Sequence, residues 1–150
     1  MTLKPHSSRG NQSAAFTLVE VVLAIVIGGI LISGMIASYM QAATRAEWSA
    51  YSLAAQSLAV MRLEQTRAAK WDRLAYPPID QLATGAHPMT VEVLDIPVVG
   101  NHIAYATNFT TVTTISANPP IKMVQVDCVW DFGSRGIFTN TLITYRAADQ

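Results

Sequence analysis

Hydrophobic residues are concentrated in one block near the N-terminus of the chain. Residues 1–15 are polar and carry basic side chains, among them Lys4 and Arg9, but no acidic one. Residues 16–40 are mostly apolar, with Glu20 as the only charge. A helix of this length would reach about 37 Å, enough to cross a hydrocarbon core of about 30 Å. Because the basic flank precedes the block, the positive-inside rule predicts a cytoplasmic N-terminus and an extracytoplasmic C-terminal region.

The apolar block has three interpretations. A cleaved secretory signal would have a shorter apolar core, and a plain signal anchor fits the hydropathy but leaves Glu20 unexplained. A carboxylate within a membrane helix costs roughly 2.5–3.5 kcal/mol on insertion scales, so it needs a partner. The third interpretation is a helix whose leader is cut off just before Phe16, which would supply that partner. The new α-amino group would lie one helical turn from the Glu20 carboxylate, and in a helical stack it could meet that of a neighbouring subunit.

The helix is predicted to continue beyond the apolar block. Residues 41–76 are rich in Ala, Leu, Arg, Glu and Gln, which favour a helix, and Tyr76-Pro77-Pro78 ends it. On a helical wheel the apolar residues form two separated stripes. One stripe comprises Leu53, Val60, Leu63, Trp71 and Leu74, and the other comprises Tyr51, Ala54, Leu58 and Met61. Both stripes could belong to the core of one domain, or one could face a sheet while the other packs on neighbouring helices in a filament.

After residue 77 the apolar positions alternate with a period of two, which is typical of strands. The predicted strands are residues 89–95, 103–115, 122–132 and 137–145. The third alternates most clearly, and one of its faces comprises Val124, Val126, Cys128, Trp130 and Phe132. We therefore predict an α+β fold. Its long N-terminal helix, membrane-spanning in the first half, packs on a four-stranded antiparallel meander within residues 77–150.

Composition excludes several classes of function. Ten Lys and Arg balance ten Asp and Glu, so there is no basic footprint for nucleic acid. Cys128 is the only cysteine, which excludes an internal disulfide and a cysteine-based zinc or redox site, and its apolar neighbours predict a small buried hydrophobe. His87 and His102 accompany no carboxylate or thiol at metal-ligand or triad spacing. We therefore predict no enzymatic activity, no cofactor and no metal.

The stretch Ala15-Phe16-Thr17-Leu18-Val19-Glu20 resembles the prepilin peptidase recognition site of type IV pilins and type II secretion pseudopilins. In that family a short basic leader ends in a small residue, usually Gly and here Ala15. The mature chain then begins with Phe and has Glu at its fifth position. The resemblance implies a leader of residues 1–15, cleavage after Ala15, N-methylation of Phe16, and assembly that depends on Glu20.

The resemblance also implies a ladle-shaped pilin fold and a set of partners. These are a bifunctional prepilin peptidase and methyltransferase, other pilins or pseudopilins through helix–helix contacts, and an inner-membrane assembly platform with its ATPase. The chain is expected to be a single-pass protein of the inner membrane before it enters a pilus or pseudopilus filament.

Three further features favour a minor subunit over the main repeating one. Arg62-Leu63-Glu64-Gln65 resembles a run found in minor pilins of the V type and minor pseudopilins of the I type. The lone Cys128 rules out the C-terminal disulfide of many major pilins, and no acidic loop of the calcium-binding kind is evident. The alternative hypothesis, from another class, is a membrane-anchored extracytoplasmic binding module that does not polymerise.

Overall fold

The computed structural model describes residues 17–97 and 103–149. These residues form two compact units, one ending at Ala43 and one beginning at Thr44. Helix α1, Leu18–Ala68, begins in the first unit and ends in the second. In the first unit the described residues belong almost entirely to this helix, and their apolar side chains are exposed.

The second unit contains the remainder of α1 and seven described strands. They are β1 (Trp71–Asp72), β2 (Ile79–Asp80), β3 (Gly85–Ala86), β4 (Thr90–Val93), β5 (Tyr105–Ala117), β6 (Pro120–Asp131) and β7 (Ile137–Ala147). All named pairings are antiparallel. Strands β4 to β7 form the predicted meander, and β3 pairs with β5 as an additional strand of the same sheet, while β1 and β2 form a separate pair. The predicted α+β class, a long N-terminal helix with an antiparallel sheet, is confirmed.

The core lies between the second part of α1 and one face of the sheet. On β6 the buried apolar residues are Val124, Val126, Cys128 and Trp130, which lie on the face predicted from the alternation. On α1 the buried residues are Ala55, Ala59 and Leu63. Because alanine side chains are short, this helix face can approach the sheet closely, and the larger side chains of the core come mainly from the strands.

The helix face on the sheet shares residues with both predicted stripes but is centred on neither: Leu63 of the first stripe is buried, and Tyr51, Ala54 and Leu58 of the second are partly buried against the core. Leu53 is 70% exposed and Val60 is 42% exposed, so neither belongs to the core. The core face passes through Ala55 and Ala59, between the two stripes. A helical wheel that gives most weight to large apolar residues misses a face made of alanines. Of the other helix residues predicted to pack, Leu63 is buried, Leu58 is partly buried against the core, and Met61 is exposed.

The helix ends at Ala68, well before the predicted end at residue 76. Trp71 is buried, but it lies in strand β1 and not on the helix, where the prediction placed it. Leu74, the last residue of the same stripe, is exposed and also lies outside the helix. The carbonyls at this end of the helix accept long-range hydrogen bonds that local helix preference does not report.

Arg146 on β7 supplies those bonds. Its Nη1 lies 3.0, 2.9 and 2.7 Å from the carbonyl oxygens of Thr66, Arg67 and Ala69. Its Nη2 donates to Asp149 Oδ1 at 2.8 Å. Asp149 also holds Trp71 from both sides, because its Oδ2 accepts from the Trp71 N–H and its own N–H donates to the Trp71 carbonyl, each at 2.8 Å. The last carbonyls of α1 are therefore satisfied by a cation, which is favourable at a helix C-terminus.

Lys122 ties the β1–β2 pair to the sheet. The side chain is buried, and Nζ donates to both carboxylate oxygens of Asp80, at 2.8 and 2.6 Å, and to the Leu82 carbonyl at 2.6 Å. The ammonium also lies 4.5 Å from the centroid of the Trp71 ring. A buried lysine is tolerated here because its charge is paired and hydrogen-bonded.

Candidate functional site at the helix N-terminus

The first turn of α1 is built as a reciprocal cap. Thr17 Oγ1 accepts a hydrogen bond from the Glu20 N–H at 3.3 Å, and Glu20 Oε2 accepts one from the Thr17 N–H at 3.4 Å. The spacing Thr-x-x-Glu is that of a capping box, in which two backbone donors at the helix start are satisfied by side chains. The carboxylate also lies at the positive end of the helix dipole. The local sequence therefore explains why the helix begins here.

The Glu20 carboxylate uses little of its hydrogen-bonding capacity in this arrangement. The bond from Thr17 is long, and it is the only one recorded for this carboxylate within the described part of the chain. An ionised carboxylate has about four acceptor positions. Most of its hydrogen-bonding capacity therefore remains available for a cationic donor near the helix start.

The other residues predicted for this site are Ala15, Phe16, Lys4 and Arg9. All four lie outside the described residues. The predicted cut, between Ala15 and Phe16, therefore lies one residue before Thr17, the first described residue. The amine that cleavage would create would belong to Phe16, the immediate neighbour of Thr17 in sequence.

The helix that follows Glu20 is long and apolar enough to cross a membrane by length and composition. Signal sequences and core helices of soluble proteins can pass the same test. A core helix is mostly buried, however, and no residue in the most apolar window is buried in the described structure. The large apolar side chains from Leu18 to Met40 are exposed. Such a surface requires lipid or other helices around it.

The cysteine and the described histidine of the second unit lie in surroundings typical of residues that support the fold. Cys128 is fully buried, and burial, together with the negative charge of Glu92, raises the pKa of its thiol from 9.0 to about 11. A thiol in this state is a poor nucleophile, which agrees with its predicted role as a small buried hydrophobe. The His87 ring Nε2 lies 3.0 Å from the Ala83 carbonyl. Across residues 17–97 and 103–149, no group of three or more His, Cys, Asp or Glu is arranged to hold a metal ion.

The N-terminal geometry agrees with a comparison against protein families. Residues 10–36 match the family model described as the prokaryotic N-terminal methylation motif. The chain carries the N-terminal signature of type IV pilins and pseudopilins. The fold of this pilin-like chain, a long apolar N-terminal helix with an antiparallel sheet, is consistent with the pilin fold. No curated protein and no solved structure shows significant similarity to it.

Thr17 is the one residue of this site that reasoning from the sequence missed. Its signal was available, because Thr17 precedes an apolar run and Glu20 follows three residues later, the signature of a capping box. Glu20 therefore has two roles, as a charge in the apolar segment and as part of the helix cap.

Proposed function

We propose that this pilin-like chain is a structural subunit of a type IV pilus or a type II secretion pseudopilus. It is cleaved after Ala15, methylated on Phe16, held in the inner membrane by α1, and assembled into a filament through that helix. The observation that carries the proposal is the ionisable Glu20 in the first turn of a long, exposed apolar helix. An ionisable group in such a segment is a functional feature that needs a cationic partner.

The α-amine of a cleaved chain is the partner of matching chemistry. Cleavage before Phe16 would place a positive charge next to Thr17, whose N–H already donates to the Glu20 carboxylate. A positive charge at a helix N-terminus is unfavourable for the helix dipole. An incoming amine is therefore stabilised best by a carboxylate near the same helix end, either its own Glu20 or that of the preceding subunit.

The second part of α1 supports helix–helix assembly. Leu53, Val60 and Met61 are exposed, and Leu53 and Val60 lie on the side of α1 turned away from its buried alanine face. In the apolar half, Gly28, Gly29 and Gly34 have open space where a side chain would be. Small residues allow neighbouring helices to approach closely.

We further propose that the chain is a minor subunit. The Arg62-Leu63-Glu64-Gln65 run stabilises the fold of this chain. Leu63 is buried, and Arg62 donates to Thr110 Oγ1 at 3.3 Å and to Gln65 Oε1 at 2.9 Å. Support for the minor role thus comes from the resemblance of this run and from the lone Cys128. Quantitative proteomics of sheared filaments tests it. A trace amount is expected, together with loss of filaments on deletion, whereas an abundance equal to the dominant pilin would contradict the assignment.

The test of assembly is Glu20→Gln, which keeps the size of the side chain and removes its charge. We expect normal membrane insertion and cleavage but strongly reduced incorporation into filaments. The matched control is Glu47→Gln, an exposed carboxylate later on the same helix, which should assemble normally. Incorporation of the Glu20→Gln subunit at the native level would refute the pairing with the amine.

The test of processing is the mass of the purified mature chain together with Ala15 variants. An N-terminus at methylated Phe16 is expected, with efficient cleavage of Ala15→Gly and blocked cleavage of Ala15→Leu. Cleavage of the Leu variant at the native rate would remove the peptidase assignment. An intact Met1 would instead favour the alternative, an anchored binding module that does not polymerise.

A further inference from the structure

A pocket in the second unit lies between the start of its part of α1 and the β6–β7 hairpin. Its volume is about 410 Å³. Its lining includes Arg45, Trp48 and Ser49 from α1, and Phe132, Arg135 and Phe138 from the hairpin. We call it the arginine–aromatic pocket. Its lining contains no acidic side chain.

The floor of the pocket is aromatic and firmly held. The Trp48 and Phe138 rings meet edge to face with centroids 6.0 Å apart, and Phe138 stacks on the buried Trp130 ring at 5.1 Å. Trp130 Nε1 donates to Asn140 Oδ1 at 2.9 Å, and Asn140 Nδ2 donates to the Ser52 carbonyl on α1 at 3.0 Å. The hydrogen-bonded chain connects the hairpin to the helix. The pocket is therefore preorganised, and a ligand would not need to order it.

Two arginines line this pocket. Arg135 lies in the turn between β6 and β7, where Gly133 and Gly136 adopt φ values of 54° and 109°, and its guanidinium lies 5.9 Å from the centroid of the Phe132 ring. Arg45 comes from the helix side. Among residues 17–97 and 103–149, no ion pair is recorded for either arginine. Two unpaired guanidiniums lining a pocket with an apolar floor suit an anion that carries an apolar portion, and guanidinium matches phosphate oxygens particularly well.

The position of Arg45 in the chain indicates the source of that anion. Arg45 follows Met40, the last residue of the apolar run, by five residues of the same helix. Five helical residues rise by about 7.5 Å, close to the thickness of one headgroup layer, about 5–8 Å. Tryptophan and arginine are residues typical of this interface, because their apolar parts contact acyl chains while their polar ends reach water.

We propose that the arginine–aromatic pocket binds the phosphodiester headgroup of an anionic phospholipid while the subunit is in the membrane. The phosphate oxygens accept hydrogen bonds from Arg45 and Arg135, and the glycerol and upper acyl carbons contact Trp48 and Phe138. A membrane-anchored subunit would thereby select anionic over zwitterionic lipid. The proposal rests on the membrane anchoring in the proposed function but not on cleavage or polymerisation.

Native mass spectrometry of the full chain in mild detergent tests this. The protein is titrated with phosphatidylglycerol or with phosphatidylcholine, and the retained lipid is counted. We expect phosphatidylglycerol to be retained about tenfold more strongly, and the Arg45→Gln/Arg135→Gln double variant to lose this preference. The matched control is Arg67→Gln/Arg73→Gln, which removes the same charge from two exposed arginines outside the pocket.

A second measurement locates the lipid. Trp48 is half-exposed, whereas Trp71 and Trp130 are buried. Phosphatidylglycerol with a spin label on its headgroup should therefore quench Trp48 most strongly and also the neighbouring Trp130, whose ring centroid lies 6.2 Å from that of Trp48. The Trp48→Phe variant should lose the Trp48 part of the quenching and keep the part from Trp130. An unchanged unfolding midpoint shows that each variant remains folded.

Three results would overturn the proposal. The first is equal retention of the two lipids by the native chain. The second is full retention of phosphatidylglycerol by the Arg45→Gln/Arg135→Gln variant. The third is complete displacement of the lipid by millimolar inorganic phosphate, which would assign the pocket to a free anion. Because lipid retention is measured on single chains, a cleaved or assembled form is not required, and failure of filament assembly would leave this result readable.

Discussion

Arg146→Met should separate the end of α1 from the sheet. The Arg146 side chain is only 13% exposed. It contacts the carbonyl oxygens of Thr66 and Arg67 in the last helical turn, that of Ala69 just after the helix, and Asp149. Methionine preserves most of the aliphatic length of arginine but donates no hydrogen bond. The substitution therefore removes the cap with little change in packing.

The expected loss follows from the number of hydrogens. Nη1 carries two, so three carbonyls within 3.0 Å imply one unshared bond and one hydrogen shared between two carbonyls. A hydrogen bond from a charged donor contributes about 1.5–3 kcal/mol, although water will partly satisfy the carbonyls once the cap is gone. The bond to Asp149 adds little, because that carboxylate is 41% exposed. We therefore expect a loss of about 3 kcal/mol for Arg146→Met and about half of that for Arg146→Lys, which keeps a charge and some donors.

Urea unfolding of the full chain in mild detergent, followed by tryptophan fluorescence, measures this loss. Trp71 is a local reporter because Asp149 holds its backbone. Arg67→Met is the control. Within the described part of the chain its side chain pairs only with the exposed Glu64 on the same helix, so the change should alter stability by less than about 1 kcal/mol. If the free energy of unfolding of Arg146→Met lies within about 0.5 kcal/mol of that of the native chain, the guanidinium is not what ends the helix, and water satisfies the carbonyls equally well.

Three other predictions concern buried or capping groups. Lys122→Met leaves the Asp80 carboxylate without its ammonium partner and should lower the free energy of unfolding by about 2 kcal/mol in the same urea assay, with a changed Trp71 emission. An unchanged midpoint would show that the buried charge contributes nothing to stability. The pKa of Cys128 is raised from 9.0 to about 11, so the unfolded chain releases this proton first and stability should fall as pH rises from 9 to 11, by up to about 3 kcal/mol. Cys128→Ala should lack this part of the alkaline loss, and identical pH profiles for the two proteins would contradict the assignment. Thr17→Ala removes one half of the capping box, should cost about 1 kcal/mol at the first turn, and should speed hydrogen exchange of the Glu20 amide about fivefold; no change would mean that the 3.3 Å bond is not formed in solution.

The parts of the fold that follow from local pattern could be predicted from the sequence. The apolar run defines the first half of α1, and strict alternation defines β6, whose buried face runs from Val124 to Trp130. Both signals depend only on residues near each other in the chain. The meander also follows, because short connections between strands favour antiparallel neighbours.

The remaining features depend on contacts between distant residues. Arg146 is far from the helix it caps in the sequence, and nothing around Ala68 indicates that a cation will meet its carbonyls. Lys122 sits at an inward position of β6 where the pattern calls for an apolar residue, and only the fold brings Asp80 to it. The alanine face of α1 was missed for a different reason. Small side chains carry a weak hydrophobic signal, although they decide how closely a helix packs.

Because Cys128 is buried, the native chain presents no accessible thiol to reagents. It is the only cysteine in the sequence and it is fully buried. A cysteine placed at exposed Leu53 or Val60 would therefore be the one thiol that reagents or a neighbouring thiol can reach in the folded protein. Disulfide trapping between such positions in living cells can map which sides of α1 meet in a filament, with the wild-type core left intact.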